Sequence, residues 1–371
     1  MKDSDNTKDF LLFGHNYIGD VLTLTPAIRA LKRRFPESRI TAVVSKNAAY
    51  VLRRNPDIHR IIETDRINGI RGIAGILKLY ATLNGITKKN RHKFYACINF
   101  LTSFKFSLLG SLFTKKQVGQ RKFLNNFFLR DRIIFDKNLN NIDKSLKFIE
   151  PFYINAGEKY FDRKYVYNVE DIDIKNAENI LRNSFNGYGI NIDTQDFKFV
   201  LFSPGSTRKS KEANPELFSL FADYLNKKGF YTVITGGKND RQISKKIYAK
   251  IENKHLNADL TGLTDIFTLG GLIKKSSLSV CVDNGTMHLS SAINVPVIAL
   301  FGSTDPAVCG PSDGNVYIID KKIECYHCFY RDCPKEGFKM HGYPDCLGNI
   351  TLEDLAAGFE FLLNSGKLKI N

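Results

Sequence analysis

Short apolar runs alternate along this chain with stretches of helical spacing. Phe10-Leu11-Leu12-Phe13 reads as a buried strand and residues 14–19 as a loop. A helix is expected over 20–34, because Val21, Leu22, Leu24, Ile28 and Leu31 recur at mostly helical spacing. It closes on Lys32, Arg33 and Arg34, where cations suit the negative end of the helix dipole. Pro36 breaks the chain before a second apolar run, 39–45, and further strands are expected at 59–63 and 94–100, separated by a basic helical segment over about 70–89. Strands alternating with helices predict a parallel sheet.

A polar stretch rich in Asn and Asp, 160–197, interrupts the pattern and reads as a connection carrying one helix over about 175–185. The alternation then resumes, with strands at 199–202, 231–235, 278–282 and 295–301. Helices are expected at 215–228, 240–251, 264–274, 286–293 and 352–363, the first started by Pro215 and the last capped by Thr351. The expected fold class is therefore α/β with two Rossmann-like domains, residues 1–170 and 171–371. At 371 residues and 43% hydrophobic content, the chain can bury two ordinary cores but hardly three.

Composition narrows the surroundings. The polar, partly acidic start, MKDSDNTKDF, cannot act as a secretory signal, and no run of about 18 apolar residues is present to span a bilayer. A cytoplasmic location is expected, and seven cysteines in such a chain do not read as a disulfide framework. The net charge is +16, unevenly spread: residues 1–165 hold 31 Lys and Arg against 14 Asp and Glu, a net of +17, and the remainder is at −1. The first half is thus suited to a large polyanion, with anionic headgroups, phosphorylated lipid A with its acidic sugars, and nucleic acid as candidates. Between 104 and 132 aromatics mix with cations, which fits buried rings with solvated charges or a patch lying on a membrane surface.

Candidate chemistry collects at strand ends. Two strands flank the short helix after Asp283-Asn284-Gly285, and the second ends in Gly302-Ser303-Thr304-Asp305-Pro306. A helix starting at the carboxyl edge of a parallel sheet aims backbone N–H groups and a positive dipole end at the ligand crevice, which suits a pyrophosphate. Ser203-Pro204-Gly205-Ser206-Thr207-Arg208-Lys209-Ser210-Lys211 supplies small residues and cations after another strand, and Gly236-Gly237-Lys238-Asn239-Asp240 ends a third. Gly19-Asp20-Val21-Leu22 places a carboxylate at a helix start in the first half. No Walker loop and no Gly-x-Gly-x-x-Gly opens either half, which disfavours nucleoside-triphosphatases and dehydrogenases.

Taken in order, Gly19-Asp20-Val21, the following Thr25-Pro26-Ala27-Ile28-Arg29-Ala30-Leu31-Lys32, Asp283-x-Gly285-x-Met287-His288-Leu289 and Gly302-x-Thr304-Asp305-Pro306 resemble the signature of the bacterial ADP-heptosyltransferase family of lipopolysaccharide synthesis. The resemblance implies a GT-B fold with a central cleft, and inverting transfer of a heptose from ADP-heptose to the lipopolysaccharide or lipooligosaccharide inner core. It implies Asp20 as general base, with helix capping as the other reading of that residue. A lysine for the donor phosphates is implied at Lys211, although spacing leaves Lys209 open and Asn214 stands where the family has Trp. Ser206, Thr207, Asp283, Asn284, Gly285 and His288 would complete the donor site, with Asp240 toward the ribose. Asp240 also fits a plain capping role, and His288 a buried histidine beneath the sheet.

On the basic half, Arg66, Arg71 and Lys78 are candidates for the acceptor, a lipid A and core oligosaccharide presented at the inner-membrane surface, where the protein would sit peripherally. No cofactor is required by such chemistry. Cys325-x2-Cys328-x4-Cys333 and Cys346, with His327 and His341 nearby, leave open a structural metal or reduced thiols, since the spacing matches no standard finger. Asp171-Ile172-Asp173 looks like a metal-binding DxD but lies in the connection and reads as capping charge. The alternatives are a transferase for another nucleotide-sugar or acceptor, and a non-catalytic sugar-nucleotide- or nucleic-acid-binding protein. Nucleic acid is the less favoured partner.

Overall fold

Apolar runs four to seven residues long become the central strands of two parallel sheets in the computed structural model, which describes residues 8–65, 69–90, 92–153, 161–194, 197–311 and 315–368. The chain divides into two units, Met1–Tyr167 and Asn168–Asn371. The first contains β1 (Asp9–Phe13), β2 (Arg39–Ser45), β3 (Arg60–Thr64), β4 (Ala96–Asn99), β5 (Gln117–Gln120) and β6 (Asp131–Ile133), in the order β3-β2-β1-β4-β5-β6. The second contains β7 (Phe199–Ser203), β8 (Tyr231–Ile234), β9 (Asn257–Asp259), β10 (Leu278–Val282), β11 (Val297–Phe301) and β12 (Val316–Asp320), in the order β9-β8-β7-β10-β11-β12. Counted from its own first strand, each sheet has the same order, the doubly wound one.

In that order the direction of winding reverses between the first and fourth strands, here β1/β4 and β7/β10. Crevices for ligands form at the carboxyl ends of such pairs. Register holds the pairs together: Phe10 lies opposite Ile40 and Ala96, and Cys281 opposite Ser203 and Ala299. Both sheets are covered on their faces, so β1, β7, β10 and β11 are buried along their whole length. In the first unit Leu79, Leu83, Leu109 and Phe113, from the helices Gly69–Asn90 and Phe104–Phe113, pack on Leu11, Phe13 and Cys97. In the second, Phe218, Phe221 and Phe359 pack on Val200, Phe202 and Val280.

One expected element is divided. Instead of a continuous helix over 20–34, the chain forms Ile18–Leu22 and Thr25–Arg34. Pro26, at the start of the second helix, has no N–H to continue the first, and the Thr23 and Thr25 hydroxyls donate to the carbonyls of Asp20 and Leu22 at 2.8 and 2.7 Å. The Asp171–Phe185 helix begins with a capping box in which the buried Asp173 carboxylate accepts from the Glu170 amide, so the second aspartate of this DxD is engaged in local structure. No helix among the described residues is long and apolar enough to cross a membrane.

Candidate active site

The β7/β10 switch point is tied by one side chain. Asn284, which follows β10, caps the Gly285–Ala292 helix by accepting from the Thr286 and Met287 amides at 3.0 and 3.2 Å. Its amide nitrogen donates across to the Ser203 carbonyl, the Ser203 hydroxyl and the Gly205 carbonyl at 3.0, 3.0 and 2.8 Å. The Ser203 hydroxyl in turn donates to Thr286 Oγ1. Two amides of the first helical turn, expected to face a ligand, are therefore already satisfied by the cap. In exchange, the loop after β7 is fixed against the helix start.

Beside this tie, Asp283 is buried and its Oδ2 receives both Lys211 Nζ at 2.5 Å and Thr304 Oγ1 at 2.6 Å. Residues from three separate strand ends, those of β7, β10 and β11, thus meet on one carboxylate. The Lys211 side chain is 15% exposed, against 60% for Lys209, which pairs with Glu212. A mostly desolvated ammonium held beside a helix start is poised to exchange its carboxylate partner for a phosphate oxygen. Lys209 instead acts on Asp240, which burial pushes above the usual carboxylate range while the Gly237 amide and Lys209 oppose the shift.

Asp240 also explains two glycines. A Cβ on Gly205 or Gly236 would lie 2.3 or 2.9 Å from the nearest Asp240 side-chain atom, so both loops approach this carboxyl without side chains of their own. The carboxylate accepts from the Gly237 amide at 2.8 Å, while the Asp240 amide donates to the Gly237 carbonyl at 2.9 Å. Ser206 accepts from the Arg208 amide at 3.3 Å, Thr207 is exposed, and His288 is buried on the Gly285–Ala292 helix.

The cysteine segment braces the same loops. The His327 and Phe329 amides donate to the carbonyls of Gly302 and Ser303, and both residues hold left-handed backbone, with φ of 55° and 58°. Ser210 is bound from the other side, its amide by the Arg331 carbonyl and its hydroxyl by that of Tyr330. His327 is within 2.8 Å of Asp320 and 3.7 Å of Asp305. Burial, and behind it the charges of Cys325, Cys328 and Cys333, pushes the Cys346 thiol up to about 12. It therefore packs as a neutral thiol, at a point where a Cβ on Gly302 would meet its sulfur at 2.6 Å. Among the described residues no group of three or more His, Cys, Asp or Glu is arranged to hold a metal ion.

In the first unit, Asp20 stands in the first turn of Ile18–Leu22, half-buried, beyond the carboxyl end of β1. The cap position is Tyr17, which makes no side-chain cap, and among the described residues the Asp20 carboxylate receives no side-chain hydrogen bond or ion pair. Its neighbour is His15, a residue without a sequence signal of its own. Desolvation lowers the His15 pKa from its ordinary value, and the Asp20 charge pulls the other way. Of the acceptor candidates, Lys78 is exposed on the Gly69–Asn90 helix, whereas Arg66 and the Arg71 side chain lie outside the described residues.

Two doubly wound units, one with a polar cluster at its switch point, define the GT-B architecture. The model of glycosyltransferase family 9 (heptosyltransferase) matches residues 87–339, and the chain belongs to that family. It is 25% identical over 360 residues to lipopolysaccharide heptosyltransferase 3 of Escherichia coli K12, covering 94% of this chain and 96% of that one. Its fold is similar to a glycosyltransferase family 9 structure from Veillonella parvula, with a TM-score of 0.80, 22% identity, and 98% and 100% of the two chains covered. The E. coli ADP-heptose lipopolysaccharide heptosyltransferase II is similar at a TM-score of 0.75 and 19% identity, over 97% and 99%.

Proposed function

We propose that this transferase moves a heptose from ADP-heptose to the inner core of lipopolysaccharide or lipooligosaccharide, inverting the anomeric carbon. The observation that carries the reading is the meeting of Lys211, Asp283 and Thr304 at the β7/β10 switch point, joined to membership of a heptosyltransferase family and to the printed activity of its relatives. The Met1–Tyr167 unit would take the acceptor and the Asn168–Asn371 unit the donor.

In the displacement, the acceptor hydroxyl oxygen forms a bond to the anomeric carbon and its proton passes to the Asp20 carboxylate. The bond from that carbon to the β-phosphate oxygen breaks, and ADP leaves with the electron pair. Lys211 stabilises the charge that develops on the leaving phosphate, helped by Ser206, Thr207, His288 and the Gly285 turn. Asp240 accepts hydrogen bonds from the ribose hydroxyls. The step balances on protein side chains, and none of it is routed through Cys325, Cys328, Cys333 or Cys346. Because the acceptor is a glycolipid, the enzyme works peripherally at the cytoplasmic face of the inner membrane.

A panel of nucleotide-sugars incubated with truncated core acceptors and read by mass spectrometry tests this reading. Addition of one heptose with ADP-heptose alone is expected. Transfer from a uridine or guanosine sugar in its place would reassign the donor, and no transfer from any donor would leave a binding protein.

A further inference from the structure

We infer that the outer face of the Gly69–Asn90 and Phe104–Phe113 helices, with the turn over 121–130 beside them, is a docking surface for an anionic phospholipid bilayer. This rests on the membrane-peripheral reading above and gives it a face and a lipid class. Residues 66–130 contain thirteen lysines and arginines and no aspartate or glutamate. A segment of single-signed charge this long attracts a negatively charged surface and repels a positive one.

The two helices are apolar on both sides. Inward, Leu79, Leu83, Leu109 and Phe113 cover the sheet. Outward, Ile73 and Leu77 form one stripe at helical spacing and Leu108 and Leu112 a second, between 42% and 62% exposed. Phe123 and Phe127, in the adjoining turn, are 83% and 80% exposed. Ring contacts join the three pieces, Tyr80 to Phe113 between the helices and Phe104 to Phe128 between helix and turn, each at 5.5 Å between centroids. Single exposed apolar residues are ordinary, but two helical stripes and a Phe-bearing turn in succession form a patch.

Among these apolar side chains stand exposed Lys105, Lys115, Arg121 and Lys122, whose stems can lie along apolar surface while their charges reach headgroups. Other occupants fit less well. Single-stranded nucleic acid stacks on aromatic rings and has no use for the aliphatic rows. A second copy of this chain, docked about a two-fold axis, would bring like charges face to face.

The full-length protein is tested by flotation with phosphatidylcholine vesicles lacking or containing about one-third phosphatidylglycerol, at low and high salt. We expect binding to the anionic vesicles, lost at high salt, and reduced about tenfold both in Phe123→Ser/Phe127→Ser and in Lys105→Glu/Lys122→Glu. Both variants should keep the wild-type melting temperature and the wild-type rate on a delipidated, water-soluble core acceptor. Equal binding of both vesicle types, undiminished binding by both variants, tighter binding to an oligonucleotide than to the anionic vesicles, or a dimer abolished by the phenylalanine changes would each overturn the proposal. With turnover of the soluble acceptor intact, such a result removes this surface and leaves the transfer reading standing. Absence of turnover with vesicle binding intact does the reverse.

Discussion

Two strand-to-helix turns lie at the switch points of the two sheets, after β1 in one and after β10 in the other, and each contains an aspartate. After β10, Asp283 is buried and engaged by Lys211 and Thr304, while Asn284 caps the helix and ties it to Ser203 and Gly205. After β1, Asp20 has neither cap duty nor a side-chain hydrogen bond among the described residues, and its titrating neighbour is His15. A carboxylate whose lone pairs are occupied by an ammonium and a hydroxyl positions other groups. One with accessible lone pairs can accept a proton. The two switch-point carboxylates thus differ in local chemistry, and the cap position of the Ile18–Leu22 helix is Tyr17 rather than Asp20.

The sharpest separation of the two turns is kinetic. Asp20→Asn retains shape and hydrogen-bonding capacity but cannot take up the acceptor proton, so kcat should fall about 10²–10⁴-fold with the donor KM nearly unchanged. A loss under tenfold would move the base elsewhere. Lys211→Ala removes the cation beside the departing phosphate and should lower kcat about 10²–10³-fold while raising the donor KM. Lys209→Ala, which breaks an exposed pair with Glu212, should change kcat by less than about threefold. If the two lysines exchanged these outcomes, the phosphate contact would belong to Lys209.

Smaller effects are structural. Asn284→Ala removes a cap and the bonds to Ser203 and Gly205, and chemical denaturation should show a loss of about 1–2 kcal/mol. Smallest is a pH effect at His15. Its folded-state pKa lies below the ordinary 6.5, so as pH falls through that value the unfolded chain binds a proton that the folded chain resists, and stability declines. His15→Gln should flatten the acid-side fall of the melting temperature between about pH 7 and 5. An unchanged slope would place the responsible group elsewhere.

Central strands were legible because burial on both faces writes them as uninterrupted apolar runs, as in Phe10–Phe13 and Val297–Phe301. Of the strands at or next to the sheet edges, β3 was legible, whereas β5, β6 and β12 were not. β5 reads Gln-Val-Gly-Gln and has no apolar run, and β12 has one, Val-Tyr-Ile-Ile, but is only partly buried. The Lys46–Leu52 helix was hidden behind β2, with Ser45 serving as both last strand residue and cap. At the candidate site the motif residues could be named from order and spacing. What could not be read was which groups share a carboxylate, since Lys211, Asp283 and Thr304 are 72 and 21 residues apart in sequence. Nor could the need for glycine at 205 be seen before Asp240 was placed against it.

The division of labour between the two turns is tested most directly by ADP titration calorimetry of the wild type, Asp20→Asn and Lys211→Ala. We expect Asp20→Asn to bind ADP within about twofold of wild type despite its about 10²–10⁴-fold lower kcat, and Lys211→Ala to bind at least about tenfold more weakly. ADP affinity lost in Asp20→Asn and retained in Lys211→Ala would contradict it.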